Sequence, residues 1–346
     1  MTAEQRPRVL IIGAGSMGLV TGYHLGLAGA EVTFLVRPHR RSDLERTQTL
    51  YCYDDGLLKE YSGYSLLTDP AEILGKPYDF IVVTLDGTAL QNDVGTRLVE
   101  TLGAAARNTN AKIILGSVGL DLLPWFLRVS GLPGEKVTNG VLAIIAYSPQ
   151  AVQLPLHAPT NPELLAQADL AYIHRNEFGF GVDDSAPDAA HEFAKLYDAC
   201  GISTCFIKPA TQFSADIAPM FAIFAGMELM GWPALARVRE DAELWGLTVN
   251  AVREIQGLGI HGEAGQRTQA QTTEEGLAAS LAAWENDMLP LDLQGFNRYH
   301  HGGKVSVQDL QILLDCIASG QAEGKDMAAV QAVIDRIEAL RGRQPG

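Results

Sequence analysis

With 346 residues the chain is too long for one ordinary hydrophobic core and suits two domains. Its 47% hydrophobic and 19% charged residues are those of a globular protein, and a formal net charge of −15 excludes nucleic acid and anionic membranes as partners, since both demand a basic surface. The four cysteines, Cys52, Cys200, Cys205 and Cys316, form no CxxC pair and no metal-ligand spacing, so free thiols in a reducing cytoplasm and no metal are expected; the N-terminus lacks a signal-peptide layout.

The chain opens on an apolar run, Val9 to Ile12, that meets Gly13-Ala14-Gly15-Ser16-Met17-Gly18. A helical pattern follows with Leu19, Tyr23 and Leu27 on one face, and then a second run, Val32 to Val36. Strand, glycine turn, helix and strand in this order give the GxGxxG pattern the context that makes it informative. For a dinucleotide, Gly13 allows the tight turn, Gly15 lets the backbone approach a pyrophosphate, and Gly18 brings helix and strand together, with Ser16 and Met17 opening the helix beneath the phosphates. After the second strand stand Arg37, His39, Arg40 and Arg41, with no carboxylate for a ribose hydroxyl. The planar donor fork of Arg37 suits a 2′-phosphate, so NADPH is the expected cofactor.

Further on, Leu50 to Tyr53 and Leu57 to Tyr61 predict a hairpin around Asp54-Asp55-Gly56, inserted into the same sheet. Tyr78 to Leu85 and Lys112 to Leu115 have the pattern of strands buried on both faces. Their carboxyl ends, Thr84, Leu85 and Asp86 to Gly87, and Gly116 to Gly119, should lie near the cofactor, as the ends of parallel strands do in open α/β sheets. A single helix is predicted over Thr88 to Ala106, striped by Leu90, Val94, Leu98 and Leu102. Val137 to Tyr147, Phe178 to Gly181 and Ile202 to Ile207 supply further strands, and Pro187 to Ala199 a helix.

Beyond Lys208-Pro209 the pattern becomes helical throughout. Phe213 to Met230 predicts one apolar helix that forms the core of a second domain or of a homodimer, with Met220, Met227 and Met230 as core residues. Glu228, Pro219 and Pro233 argue against reading Pro219 to Ala236 as a membrane span. Asp241 to Gln256, Glu274 to Met288, Ser306 to Ala318 and Met327 to Leu340 complete the set, Ser306 and Asp309 marking a helix start. The expected fold is α/β: an N-terminal Rossmann doubly wound sheet over residues 1–208, followed by an all-helical C-terminal substrate and dimerisation domain over 209–346.

A Rossmann domain with an arginine after its second strand, a buried strand reading VVTL, and a helical second domain together resemble the ketopantoate reductase (2-dehydropantoate 2-reductase) family. The resemblance implies an NADPH-dependent reductase of a small 2-oxo acid bound between two domains. At the positions that match the family's catalytic residues the chain differs. Asp86 stands where a lysine is usual, Ser117-Val118 where an asparagine-glycine is usual, and Phe213 to Ile217, with Asp216, where the catalytic lysine belongs. The later glutamate falls near Val307. Both the carboxylate and the developing alkoxide of a 2-oxo acid call for cationic or donor groups, so ketopantoate itself is not the expected substrate.

The expected activity is therefore NADPH-dependent reduction of another small carbonyl or imine. The alternatives are an opine-type dehydrogenase, or an NADPH-binding sensor or scaffold without turnover. Proton transfer is assigned to Phe296 to Lys304, FNRYHHGGK, read as a loop before a helix. His300 or His301 would deliver the proton near neutral pH, Asn297 and Tyr299 would bind substrate, with Lys304, Asp216 and Ser117 as further candidates.

Overall fold

The computed structural model describes residues 6–174 and 177–342, and its chain divides into two compact units, Met1–Gln153 with Ala158–Pro209, and Leu154–His157 with Ala210–Gly346. Among the described residues no helix is long and apolar enough to cross a membrane.

The first unit contains the strands β1 (Arg8–Ile12), β2 (Glu31–Leu35), β3 (Gln48–Cys52), β4 (Leu57–Tyr61), β5 (Ser65–Leu67), β6 (Phe80–Val83), β7 (Lys112–Leu115), β8 (Val137–Leu142), β9 (Ile145–Tyr147), β10 (Leu170–Ile173), β11 (Phe178–Asp183) and β12 (Thr204–Lys208). Its helices are α1 (Ser16–Leu27), α2 (Arg41–Leu44), α3 (Gly87–Gln91), α4 (Asp93–Ala106), α5 (Leu122–Ser130), α6 (Pro162–Ala166) and α7 (Pro187–Asp198). An eight-stranded sheet runs β12-β11-β8-β7-β6-β1-β2-β5, parallel throughout except where β11 meets β8. Period-two alternation sends Val9 and Ile11 to one core, shared with Leu19 and Tyr23 of α1 and Phe193 of α7. Leu10 and Ile12 go to the other, with Leu98 and Leu102 of α4 and Phe126 of α5. Apolar residues on both faces of β1 therefore require helices on both sides, which is the doubly wound arrangement.

The hairpin β3–β4 forms where the sequence places it, but not in this sheet. It belongs to a four-stranded sheet of order β4-β3-β10-β9, because β10, more than a hundred residues later, pairs in parallel with β3. The predicted strand Val137 to Tyr147 is likewise two strands, β8 in the large sheet and β9 in the small one. The predicted helix Thr88 to Ala106 breaks at Asn92, whose side chain accepts from the Val94 and Gly95 amides at 2.9 Å and starts α4 afresh. Val94 is accordingly 68% exposed rather than part of the stripe, and Leu27 of α1 is exposed as well.

The second unit is helical: α8 (Ala210–Ile217), α9 (Met220–Leu229), α10 (Ala242–Gln256), α11 (Gly262–Gln271), α12 (Glu274–Asp287), α13 (Leu293–Tyr299), α14 (Ser306–Ala322) and α15 (Ala328–Arg341). The apolar segment Phe213 to Met230 is two helices, because Pro219 has no N–H to continue the ladder and α9 begins after it. Phe221, Ile223, Phe224 and Met227 of α9 are buried within this unit, whereas Met220 and Met230 are only half-buried. FNRYHHGGK is not a loop: its first part closes α13, and His300–Lys304 form a π-helical turn in which the Val305 amide donates to the His300 carbonyl at 2.9 Å. Adjacent histidines therefore do not alternate sides there, contrary to the extended reading. α14 starts at Ser306 with Asp309 in its first turn, as the sequence places it, and Asp309 is buried there.

Candidate functional site

The turn between β1 and α1 is shaped by its three glycines in three different ways. Gly13 has φ +101°, a conformation that side chains oppose, and its amide donates to the Leu35 carbonyl at 2.9 Å. A Cβ on Gly18 would lie 2.2 Å from the Gly13 carbonyl oxygen, whereas a Cβ on Gly15 would meet nothing within 4 Å. Gly15 caps α1 with no side-chain hydrogen bond. The first-turn amides of a helix have no intrahelical acceptor, so Ser16 and Met17 present donors and the positive helix end beside that open space. These features fit a dinucleotide pyrophosphate.

Thr84 buttresses the turn from below: its hydroxyl donates to the carbonyls of Ile12 at 2.8 Å and Gly13 at 3.3 Å. Leu85 packs beside Gly13. Asp86 caps α3, one carboxylate oxygen accepting from the Ala89 amide at 2.6 Å and the Thr88 hydroxyl at 2.8 Å. Ser117, past β7, is buried and its hydroxyl has no partner among the described residues.

After β2, Arg40 lies 3.9 Å from Asp43 and Arg41 bonds Glu45 at 2.8 Å. Arg37 is exposed, and among the described residues its side chain has no hydrogen bond or ion pair. Of the three arginines it is the one left available to a phosphate.

The remaining predicted residues lie in the second unit: Asn297 is buried, Tyr299, His300 and His301 are half-buried, and Asp216 and Lys304 are exposed. His301 bonds Asp309 at 2.7 Å through Nδ1, and its ring stacks on Phe224 with centroids 3.4 Å apart. His300 stacks on Phe296 at 5.2 Å. Burial pushes both imidazoles down to about 3 and the Asp309 carboxyl up to about 8. Burial thus disfavours the imidazolium form at both histidines. Asn297 is buried with its amide oxygen unpartnered, and Tyr299 is half-buried at the end of α13. Lys304 is exposed, and Asp216, also exposed, accepts from Gln212 at 2.7 Å. A cavity of about 20 Å³ lined by Phe224, Glu228, His301, Asp309 and Arg341 has room for one water rather than a substrate.

A family model described as ketopantoate reductase PanE/ApbA matches residues 9–104, the segment that contains the turn, Arg37 and Thr84 to Asp86. Over that segment the chain is similar to ketopantoate reductase. Solved structures extend the likeness in fold over the whole length. A 2-dehydropantoate 2-reductase from Geobacter metallireducens GS-15 is 17% identical with TM-score 0.68, covering 96% of this chain and 99% of that one. One from Methylococcus capsulatus is 16% identical with TM-score 0.67 and 97% of each chain covered. D-mandelate dehydrogenase, solved with NADH and anilino(oxo)acetate, is 12% identical with TM-score 0.65, covering 96% of this chain and 97% of that one. No curated protein matches the chain.

Two features of the chain had no signal in the sequence. The Thr84 clamp on Gly13 depends on β6 lying beside β1, and the His301–Asp309 contact depends on the π-helical turn.

Proposed function

We propose that the chain transfers hydride between NADPH and a small carbonyl or imine compound other than ketopantoate. Ketopantoate reductase-like proteins are NAD(P)H-dependent oxidoreductases acting on carbonyl or hydroxyl groups, which sets the reaction class. The observation that carries the reading is the open, uncapped start of α1 at Gly15 together with the unengaged Arg37. The bound nicotinamide supplies the hydride. The Ser16 and Met17 amides hold the pyrophosphate, Arg37 holds the 2′-phosphate, and Thr84 keeps Gly13 in its turn while Leu85 and Asp86 line the adjoining edge. Ser117 offers a hydroxyl without a partner, and Asn297 and Tyr299 are assigned to substrate. His300 and His301 shape the segment that carries those two residues.

With aspartates at positions 86 and 216, this reading excludes a carboxylate-bearing oxo acid close to either side chain. A cytoplasmic location goes with it. Homodimerisation keeps a different motive from the one in the sequence: α9 is covered within its own unit, whereas Val307 and Leu314 leave an apolar stripe of α14 exposed. Light scattering that gives 37.2 kDa would remove the dimer.

A second reading is an NADPH-binding sensor without turnover, favoured by His301 being engaged with Asp309 and Phe224. The test begins with Gly15→Val. The added Cβ meets nothing within 4 Å, so the fold should survive by circular dichroism while NADPH binding is lost. Undiminished binding would defeat the proposal. NADPH oxidation across a carbonyl and imine panel then separates enzyme from sensor.

A further inference from the structure

We propose that Cys52, Asp54 and His174 bind one thiophilic divalent cation, with zinc the best fit, on the small sheet of the first unit. Sequence spacing hides this site because its third member lies 120 residues from Asp54. The sheet creates it. β10 pairs in parallel with β3 so that Tyr172 stands opposite Cys52, and the Tyr53 amide donates to the Tyr172 carbonyl at 2.9 Å. Cys52 ends β3, Asp54 lies in the turn after it and His174 directly follows β10, so the parallel pairing brings the three side chains together.

The distances suit coordination. Cys52 Sγ is 3.6 Å and His174 Nδ1 3.8 Å from Asp54 Oδ2, and the three ligand atoms lie within 4.8 Å of one another. A tetrahedral zinc with ordinary bond lengths separates thiolate, imidazole and carboxylate ligand atoms by roughly 3.3–3.6 Å, so small side-chain rotations close the set. The His174 amide donates to Asp54 Oδ2 at 2.9 Å and holds the carboxylate in place. Thiolate and imidazole together select zinc over magnesium or calcium.

The surroundings are those of a supported site. Tyr172, paired opposite Cys52, stacks its ring on His174 at 5.8 Å. The His174 ring also meets the edge of His24 at 5.9 Å. His24 is fully buried on α1 and its Nε2 has no partner among the described residues. Binding forms a metal–sulfur bond and releases the thiol proton to solvent, so affinity rises with pH. Three protein ligands leave a fourth position for water, and the ion would tie the β3–β4 turn to the end of β10.

The experiment titrates cobalt(II), a coloured stand-in for zinc, into the chelator-treated full-length protein. The expected result is one equivalent bound, with a sulfur-to-cobalt charge-transfer band that Cys52→Ser abolishes and Cys316→Ser preserves. Zinc should also raise the melting temperature, and Asp54→Asn and His174→Gln should each weaken zinc binding by about tenfold or more. These two variants decide the matter if Cys52→Ser does not fold. No charge-transfer band with excess cobalt, a band unchanged in Cys52→Ser, or zinc affinity unchanged in Asp54→Asn and His174→Gln would overturn the proposal.

Discussion

The β1–α1 turn and the turn at His300–Lys304 are both glycine-bearing, yet one is open and the other closed. At the first, a Cβ on Gly15 meets no atom and the helix start is uncapped. At the second, His301 is spent on Phe224 and Asp309, and a Cβ on Gly302 would lie 3.0 Å from the Trp232 ring. Backbone donors without an acceptor mark a place where a ligand adds bonds. Side chains already paired and stacked mark a place where a ligand would have to break them. Density of titratable residues along the chain does not distinguish the two; the partners do.

The comparison can be broken most forcefully at Gly18. Gly18→Ala drives a methyl into the Gly13 carbonyl, so it should cost about 4 kcal/mol or more, whereas the Gly15 substitution leaves stability nearly unchanged. Equal melting temperatures for the two variants would mean that the turn is not packed as described. At the other turn, His301→Ala removes the stack on Phe224 and leaves the buried Asp309 without its partner. A loss of about 2–3 kcal/mol in urea unfolding is expected. A variant of wild-type stability that has lost turnover would return His301 to the chemistry.

A smaller effect concerns pH. The folded-state pKa of Asp309 is raised to about 8, so its contribution is full below its ordinary value and is lost as pH rises through 8. His24, His300 and His301 are lowered to about 3 and His261 to about 4, so theirs is full above 6.5 and is lost as pH falls. Stability should therefore climb from acid to about pH 6.5 and then decline by at most about 2 kcal/mol towards pH 8. Asp309→Asn should flatten the decline, and an unaltered slope in that variant would show that Asp309 titrates normally.

The fold class was legible because local rules suffice for it. Apolar runs such as Val9 to Ile12 and Ile113 to Leu115 have nowhere to go but a sheet covered on both faces, and the glycine turn announces the helix after it. Long-range pairing was not legible. Nothing near Leu50 to Tyr53 says that β10 will draw the hairpin into a second sheet, and nothing in Val137 to Tyr147 says that the strand will divide between two. The helix breaks at Asn92 and Pro219 did carry signals, a capping side chain and a missing amide, but the apolar stripes across them spoke louder. For the helical-unit residues the sequence supplied only polarity, which does not tell an interior His–Asp pair from a reactive one.

The central claim is that the β1–α1 turn with Arg37 holds NADPH, and calorimetric titration of NADPH and NADH into wild-type and Arg37→Ala protein tests it most directly. The account predicts tighter NADPH binding in the wild type and a loss of about 1.5–3 kcal/mol for NADPH alone in the variant, the strength of a charge-assisted phosphate fork. Equal losses for both cofactors, or NADH bound as tightly as NADPH by the wild type, would contradict it.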